Sequence, residues 1–435
     1  MKIIANLIDI DLKHEDRMRL FVNGNNGLVD LISPDDYLFF KKWREQGNLE
    51  SAPVENETLY NTLRKREYIV EDSYDETEIR ETVCKIIKAK DEENYRSRCR
   101  IHFLLTYGCN FACPYCYEQQ HRTNARLSIE QIDKVFALYD DEIKDIGFFG
   151  GEPLLPGNME IIKYIISKAP NATYSIITNG YYFKEYLELL STVNVVNLQI
   201  TLDGNRDQHN RTRILANGKG TYDEVMESIK LSLQHGFPTT VRMNVSANNI
   251  DGCLETKKYI EDQLWGNDNL MFEIQPIFQA SHDEHNQLYS SLFNDDVETT
   301  NKNKILENLP PISNLLYNNV PLRPRVKACG AECYYRFYDP YGDIYSCIAS
   351  VGDRRKRIGT YWPELSYEEH SFLNRDITTI PECKNCQYAL VCGGGCANAV
   401  NADEDVTKIP NCYTMYNEVN TTIPYVYRLR KERLQ

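Results

Sequence analysis

Apolar and polar residues fall along this chain in blocks whose period switches between two and about 3.6, the signatures of strand and helix. Six short apolar runs stand out, at residues 101–106, 146–149, 174–178, 195–202, 240–245 and 271–277. Amphipathic stretches lie between them. One of these, 129–143, follows Ser128-x-x-Gln131, a capping box that marks a helix start. Six β–α alternations predict a parallel sheet with helices outside it, closed as a full or partial barrel. In such folds the chemistry sits at the C-terminal ends of the strands.

The flanking regions read differently. In residues 1–95, Arg19-Leu20-Phe21-Val22 and Leu28-Val29-Asp30-Leu31-Ile32 flank Asn23-Gly24-Asn25-Asn26-Gly27, a hairpin signal. Ser33-Pro34-Asp35-Asp36 then opens a helix, with Ser33 as N-cap and Tyr37, Phe40 and Trp43 on its apolar face. A short helix (Leu59, Tyr60, Leu63) leads to a strand at 68–70, and a third helix carries Ile79, Val83, Ile86 and Ile87. The charged stretch 88–100 reads as a linker. Residues 281–328 are polar and Asn-rich, a partly helical bridge, whereas 329–435 are dense in cysteine and poor in long periodic segments. That last region is expected to fold around metal rather than around a large apolar core. The expected organisation is therefore 1–95, 96–280, 281–328 and 329–435.

Composition narrows the function. The chain has 435 residues, 42% of them hydrophobic, enough for two or three domains with real cores. A net charge of −14 argues against nucleic acid and anionic membrane as partners. No run approaches the roughly 20 apolar residues of a membrane span, and the first residues soon meet Asp9, Asp11, Glu15 and Asp16, unlike a signal peptide. A cytoplasmic location is the expectation. In a reducing compartment fourteen cysteines are not a disulfide framework. They are grouped: Cys109, Cys113 and Cys116 together, then Cys329, Cys333, Cys347, Cys383, Cys386, Cys392, Cys396 and Cys412. Cys84, Cys99 and Cys253 stand alone and read as small buried hydrophobes. Grouping of this kind points to metal.

Three thiolates on one short loop suit three irons of a cubane cluster, with the fourth iron open. Zinc competes, but it wants four ligands, and a nearby histidine such as His121 would have to serve as the last. Cys109-x3-Cys113-x-Tyr115-Cys116 resembles the signature of the radical S-adenosylmethionine (SAM) superfamily. The resemblance implies a partial (β/α)6 TIM-like barrel of α/β class and a SAM-binding [4Fe–4S] cluster that generates a 5′-deoxyadenosyl radical. Gly150-Gly151-Glu152-Pro153, Thr178-Asn179, Thr201-Leu202-Asp203 and His209-Asn210-x-x-Arg213 match the superfamily's cofactor-facing strand ends. The implied cofactor-binding residues are Tyr115, Gly150, Gly151, Glu152, Thr178, Asn179, Thr201, Asp203 and Arg213, with His209 structural and Arg242 and Asn244 weaker candidates.

The later cysteines, Cys329 followed by Gly342-x4-Cys347, Cys383-x2-Cys386-x5-Cys392-x3-Cys396 and Cys412, resemble the SPASM domain of radical enzymes that modify peptides and proteins. By that resemblance Cys329, Cys333, Cys347 and Cys396 hold one auxiliary [4Fe–4S] cluster. Cys383, Cys386, Cys392 and Cys412 hold another, making three in all. Residues 1–95 resemble the winged-helix module with which peptide-maturing enzymes bind a leader segment by strand addition.

Three functions remain open: a maturase that crosslinks a ribosomal precursor peptide through a C–C or thioether bond, a sulfatase-maturase-like oxidation of a protein side chain, and a zinc-binding adaptor. Sulfatase maturases carry aspartate after the cysteine matching Cys347, and this chain has Ile348 there, which favours the first. A flavodoxin or ferredoxin is the expected electron donor. Glu118, Gln275 and several tyrosines are possible site residues, and no general base is singled out.

Overall fold

The computed structural model describes all residues except 48, 50–54, 140–142, 247, 264–266, 278–308 and 435. Most of the bridge expected at 281–328 thus lies outside the described residues; the rest includes a helix at Pro311–Asn318. Two compact units emerge. One takes the described residues of Met1–Ser97, Leu306–Glu332 and His370–Gln435, the other those of Arg98–Ile305 and Cys333–Glu369.

The first unit begins with strands β1 (Lys2–Ile3), β2 (Leu7–Asp11), β3 (Arg19–Asn23) and β4 (Val29–Ile32), then helices α1 (Pro34–Gln46) and α2 (Glu57–Lys65), strand β5 (Ile69–Val70) and helix α3 (Glu76–Arg98). Strands β2, β3 and β4 form an antiparallel sheet in that order, and β1 pairs with β5. The Ser33 side chain accepts from Asp36 N–H and Pro34 sits in the first turn, as the sequence predicts. Phe21, Phe40, Trp43, Tyr60, Leu63 and Tyr68 pack into one core, each buried ring or branched chain contributing about 1.5–3 kcal/mol.

The stretch 88–100 is not a linker. Helix α3 runs on to Arg98, and the next strand starts at Arg100. Its outer face is polar, and Lys88 is held by an ion pair to Asp376 at 2.7 Å. Charge on every side there reflects a solvated helix face, not absent structure.

The second unit holds a ten-stranded sheet. Strands β6 (Arg100–Leu104), β7 (Asp145–Phe149), β8 (Thr173–Thr178), β9 (Asn194–Thr201), β10 (Thr239–Val245) and β11 (Leu270–Pro276) lie side by side in chain order and run parallel. Helices α4 (Ile129–Phe136), α5 (Met159–Lys168), α6 (Phe183–Leu190), α7 (Arg206–Thr212), α8 (Tyr222–Gln234) and α9 (Ile250–Gln263) fall between them. The Ser128–Gln131 capping box forms in full, though α4 ends at Phe136, short of residue 143. This is the α/β parallel sheet expected. One addition was not legible: β12 (Tyr335–Tyr338) lies parallel beside β6, followed by β13 (Asp343–Tyr345), β14 (Gly359–Thr360) and β15 (Ser366–Tyr367) in antiparallel order. Strands of two to four residues are too short to show a period. Among the described residues no helix is long and apolar enough to cross a membrane.

Candidate active site

The loop after β6 carries Cys109, Cys113 and Cys116. The end of β7 holds it in place. Gly151 N–H donates to Thr106 O and Glu152 N–H to Gly108 O, both at 2.9 Å. Gly150 has φ +134°, and a Cβ on either glycine would collide with the Thr106–Gly108 backbone. The close approach that these glycines permit is therefore to the cysteine loop itself.

Glu152 is buried and works as a clamp. Its Oε1 accepts from Leu154 N–H (2.8 Å) and Thr178 Oγ1–H (2.6 Å), and its Oε2 from Asn179 N–H (2.7 Å). The carboxylate thus fixes the end of β8 against the end of β7. Asn179 in turn donates to Asn110 Oδ1 at 2.8 Å and reaches the Cys109 Sγ at 3.9 Å. Burial raises the Glu152 pKa, while Thr178 and the two amides oppose that rise.

A second polar chain crosses from the cysteine loop to β9 and β10. Arg213 Nη1 donates to the Tyr115 hydroxyl at 2.9 Å, and Tyr115 donates to Asp203 Oδ2. Asp203 Oδ1 accepts from Asn244 N–H at 2.9 Å. His209 is structural: its Nδ1 accepts from Asp203 N–H, so Nε2 carries the proton and faces Thr221 Oγ1 at 3.1 Å. Burial and the Arg213 charge hold His209 neutral, well below the usual imidazole range. Thr201 lies buried at the end of β9. Arg242 pairs with Glu273 at 2.8 Å and also reaches Asn244 Oδ1, a contact between neighbouring strands.

The structure thus gives two hydrogen-bonded groups, Cys109 with Asn179, Thr178 and Glu152 in one and Tyr115 with Asp203 and Arg213 in the other. Sequence reasoning missed Arg122, whose charge faces the thiols of Cys109, Cys116 and Cys113 and whose Nη1 donates to Phe111 O. A lone arginine six residues past the last cysteine of the loop was the available signal. Glu118 is fully buried with Oε1 unpartnered, and burial pushes its pKa up to about 8.

The residues present fit the cluster and cofactor that the resemblance implies. Burial pushes the Cys109 thiol up to about 12 and raises Cys113 as well, and with Cys116 they place three thiols on one short loop, the donor set an iron–sulfur cluster takes. Among the described residues no three His, Cys, Asp or Glu side chains gather as one ion would require. The buried Arg213 keeps Nε without a partner, a donor suited to a carboxylate.

The later cysteines divide between the units. Cys329, Cys383, Cys386, Cys392, Cys396 and Cys412 belong to the first unit, Cys333 and Cys347 to the second. Within the first unit, Cys383, Cys386, Cys392 and Cys412 line a single, mainly apolar cavity of about 220 Å³. Gly393, Gly394 and Gly395 have φ of +70°, +86° and +74°, and a Cβ at 393 or 395 would strike the backbone of Lys327 or Asn411. Only glycine lets the chain turn this tightly between Cys392 and Cys396.

Known proteins resemble this chain in sequence and in fold. Residues 103–260 match the radical SAM superfamily model. The cysteine-type anaerobic sulfatase-maturating enzyme of Clostridium novyi is 24% identical over 327 residues, 66% of this chain and 84% of that protein. The sporulation killing factor maturation protein SkfB of Bacillus subtilis is 30% identical over 151 residues, about a third of each chain (34% and 36%). Among solved structures, Streptococcus suis SuiB bound to precursor peptide SuiA superimposes with a TM-score of 0.50 at 12% identity, covering 95% of this chain and 99% of that one. Residues 103–260 are a radical SAM domain, and the relatives of the chain include enzymes and peptide-maturation proteins.

Proposed function

We propose that this enzyme oxidises a ribosomally made precursor peptide and closes an intramolecular crosslink in it, through a C–C or a thioether bond. Cys109, Cys113 and Cys116 would hold the first cluster, with Arg213, Tyr115, Asp203 and Asn179 placed to orient SAM. When bound, cluster and SAM supply a 5′-deoxyadenosyl radical that takes one hydrogen atom from a peptide C–H. Closing a thioether then breaks an S–H bond, forms C–S, and releases one proton and one electron. The electron needs an acceptor.

The cavity lined by Cys383, Cys386, Cys392 and Cys412 supports this reading best, because four thiols facing one space have the chemistry to hold a redox cluster. For Cys329, Cys333, Cys347 and Cys396 the assignment to another auxiliary cluster rests on cysteine order in the sequence alone. The antiparallel sheet β2–β3–β4 leaves β2 and β4 as outer strands, on which a leader segment would add a further strand. SkfB, by name a maturation protein, and SuiB, solved with precursor peptide SuiA, favour a peptide substrate. The electron donor would be a flavodoxin or ferredoxin.

A second reading, oxidation of a protein side chain, is favoured by the longer match to the Clostridium novyi sulfatase-maturating enzyme. Ile348 in place of the aspartate speaks against it. The test is incubation of the anaerobically reconstituted enzyme with reductant, SAM and the short peptide encoded beside its gene. Loss of two hydrogens, with fragmentation locating a new crosslink, is the expected outcome. An oxidised residue without a crosslink would move the assignment to the second reading.

A further inference from the structure

Arg375 has no exposed surface, yet every N–H of its guanidinium is used. Nε donates to Val406 O at 3.0 Å. Nη1 donates to Gly395 O at 2.9 Å and to Glu332 Oε1 at 2.8 Å. Nη2 donates to Gly394 O at 2.6 Å and to Ile409 O at 3.1 Å. Glu332 carries the connection further, because its Oε2 accepts from Ala328 N–H at 2.6 Å and Cys329 N–H at 3.1 Å. Both carboxylate oxygens of Glu332 therefore accept hydrogen bonds. One guanidinium therefore ties the Cys392–Cys396 loop to the segment before Cys412 and, through Glu332, to the turn that carries Cys329.

The charge is also aimed. Gly394 lines the four-cysteine cavity, and a Cβ there would lie 3.1 Å from Arg375 Nη1, so a single thickness of backbone separates the guanidinium from that space. The carboxylate end of the pair points instead at the Ala328 and Cys329 amides. Burying an ion pair brings little net stability, and apolar replacements of equal volume are often as stable. A purely structural plug would not need charge.

We propose that Arg375 is a positioning residue whose buried charge, oriented by Glu332, favours the reduced form of the cluster held by Cys383, Cys386, Cys392 and Cys412. This rests on the reading above that those four cysteines hold an iron–sulfur cluster. Reduction adds a negative charge at the cluster, and a fixed cation beside it in a poorly screened interior lowers the cost of that step. The cluster thereby becomes a better acceptor for the electron that the peptide gives up.

The test is a redox titration of full-length, anaerobically reconstituted protein followed by electron paramagnetic resonance. Arg375→Lys keeps the charge and loses most of the hydrogen bonds. Arg375→Met removes the charge, and Arg375→Met with Glu332→Met removes the whole pair without stranding a buried anion. The auxiliary signal of Arg375→Lys is expected to titrate close to wild type. The charge-free variants are expected to shift about tenfold toward the oxidised form at fixed poise, which is about 59 mV for a one-electron couple. The signal of the Cys109–Cys113–Cys116 cluster should stay in place throughout. Should Arg375→Met not fold, the double variant carries the same comparison. Titration of every variant with wild type, or an equal shift in the lysine and charge-free proteins, would overturn the proposal. Wild-type protein with iron for the first cluster alone would instead overturn the reading of the four cysteines, and this inference with it.

Discussion

The chain holds its two groups of cysteines in opposite ways. The Cys109–Cys116 loop hangs from β6, in a sheet whose strand ends meet through Glu152, Thr178, Asp203 and Asn244. Its scaffold is buried apolar sheet and helix, including Phe103, Ile146, Ile176 and Ile200. The segment from Cys383 to Cys412 has short helical turns, three left-handed glycines, the Arg375 hydrogen bonds and a small apolar cluster in which Cys383, Ala389 and Leu390 meet Val326, Ile377 and Ile380. In the first region the fold makes the site. In the second, the site has to help make the fold.

The largest effect is expected in the parallel sheet. Cys113→Ala leaves two thiols on the loop, too few for a cluster with one open iron. SAM cleavage should vanish, read as 5′-deoxyadenosine by chromatography, while the thermal unfolding of the sheet changes little. Retained cleavage would break the assignment of this loop.

Anaerobic removal of iron with a chelator separates the regions themselves. Amides from 383 to 412 should lose protection in hydrogen exchange, and those of β6 to β10 should keep theirs. Equal loss in both would show that the parallel sheet, too, depends on metal.

Arg213→Lys tests the polar chain at the strand ends. Lysine keeps the charge but not the planar fork, so the KM for SAM should rise about tenfold, roughly 1.4 kcal/mol, with kcat less affected. An unchanged KM would leave Arg213 as a support for Tyr115 only.

An effect on stability rather than on activity is expected from Glu418, buried in the first unit with Oε1 accepting from Ser313 N–H and Oε2 unpartnered. Burial pushes its pKa from 4.5 up to about 7. Since the folded state binds this proton more tightly, its contribution is complete below pH 4.5 and is lost as pH rises through about 7. Over that window Glu418→Gln should flatten the fall in stability by an amount on the order of 3 kcal/mol, read from denaturant melts. A variant that falls as steeply as wild type would assign the proton elsewhere.

Much of this contrast is legible in the sequence. Six apolar runs foretell β6 to β11 because parallel strands buried on both faces read as unbroken hydrophobic blocks. The caps at Ser33 and at Ser128–Gln131 form because they rest on local hydrogen bonds. The cysteine groups stand out by spacing alone. What escapes is long-range or unperiodic. The end of α3 looks like a linker because its polar face dominates, and Asp376, which anchors Lys88, lies 288 residues away. Tyr335–Tyr338 is too short and too mixed to announce a strand beside β6. Arg375 has no local signature, since its meaning comes from carbonyls at 394, 395, 406 and 409 and a carboxylate at 332.

In the proposed reaction a radical generated at the Cys109–Cys113–Cys116 site takes its hydrogen from a peptide. The most direct measurement uses precursor peptide made with deuterium on its carbon-bound positions and follows the label by mass spectrometry of the nucleoside product. The account predicts 5′-deoxyadenosine carrying one deuterium per peptide modified. Modified peptide alongside unlabelled 5′-deoxyadenosine would contradict it.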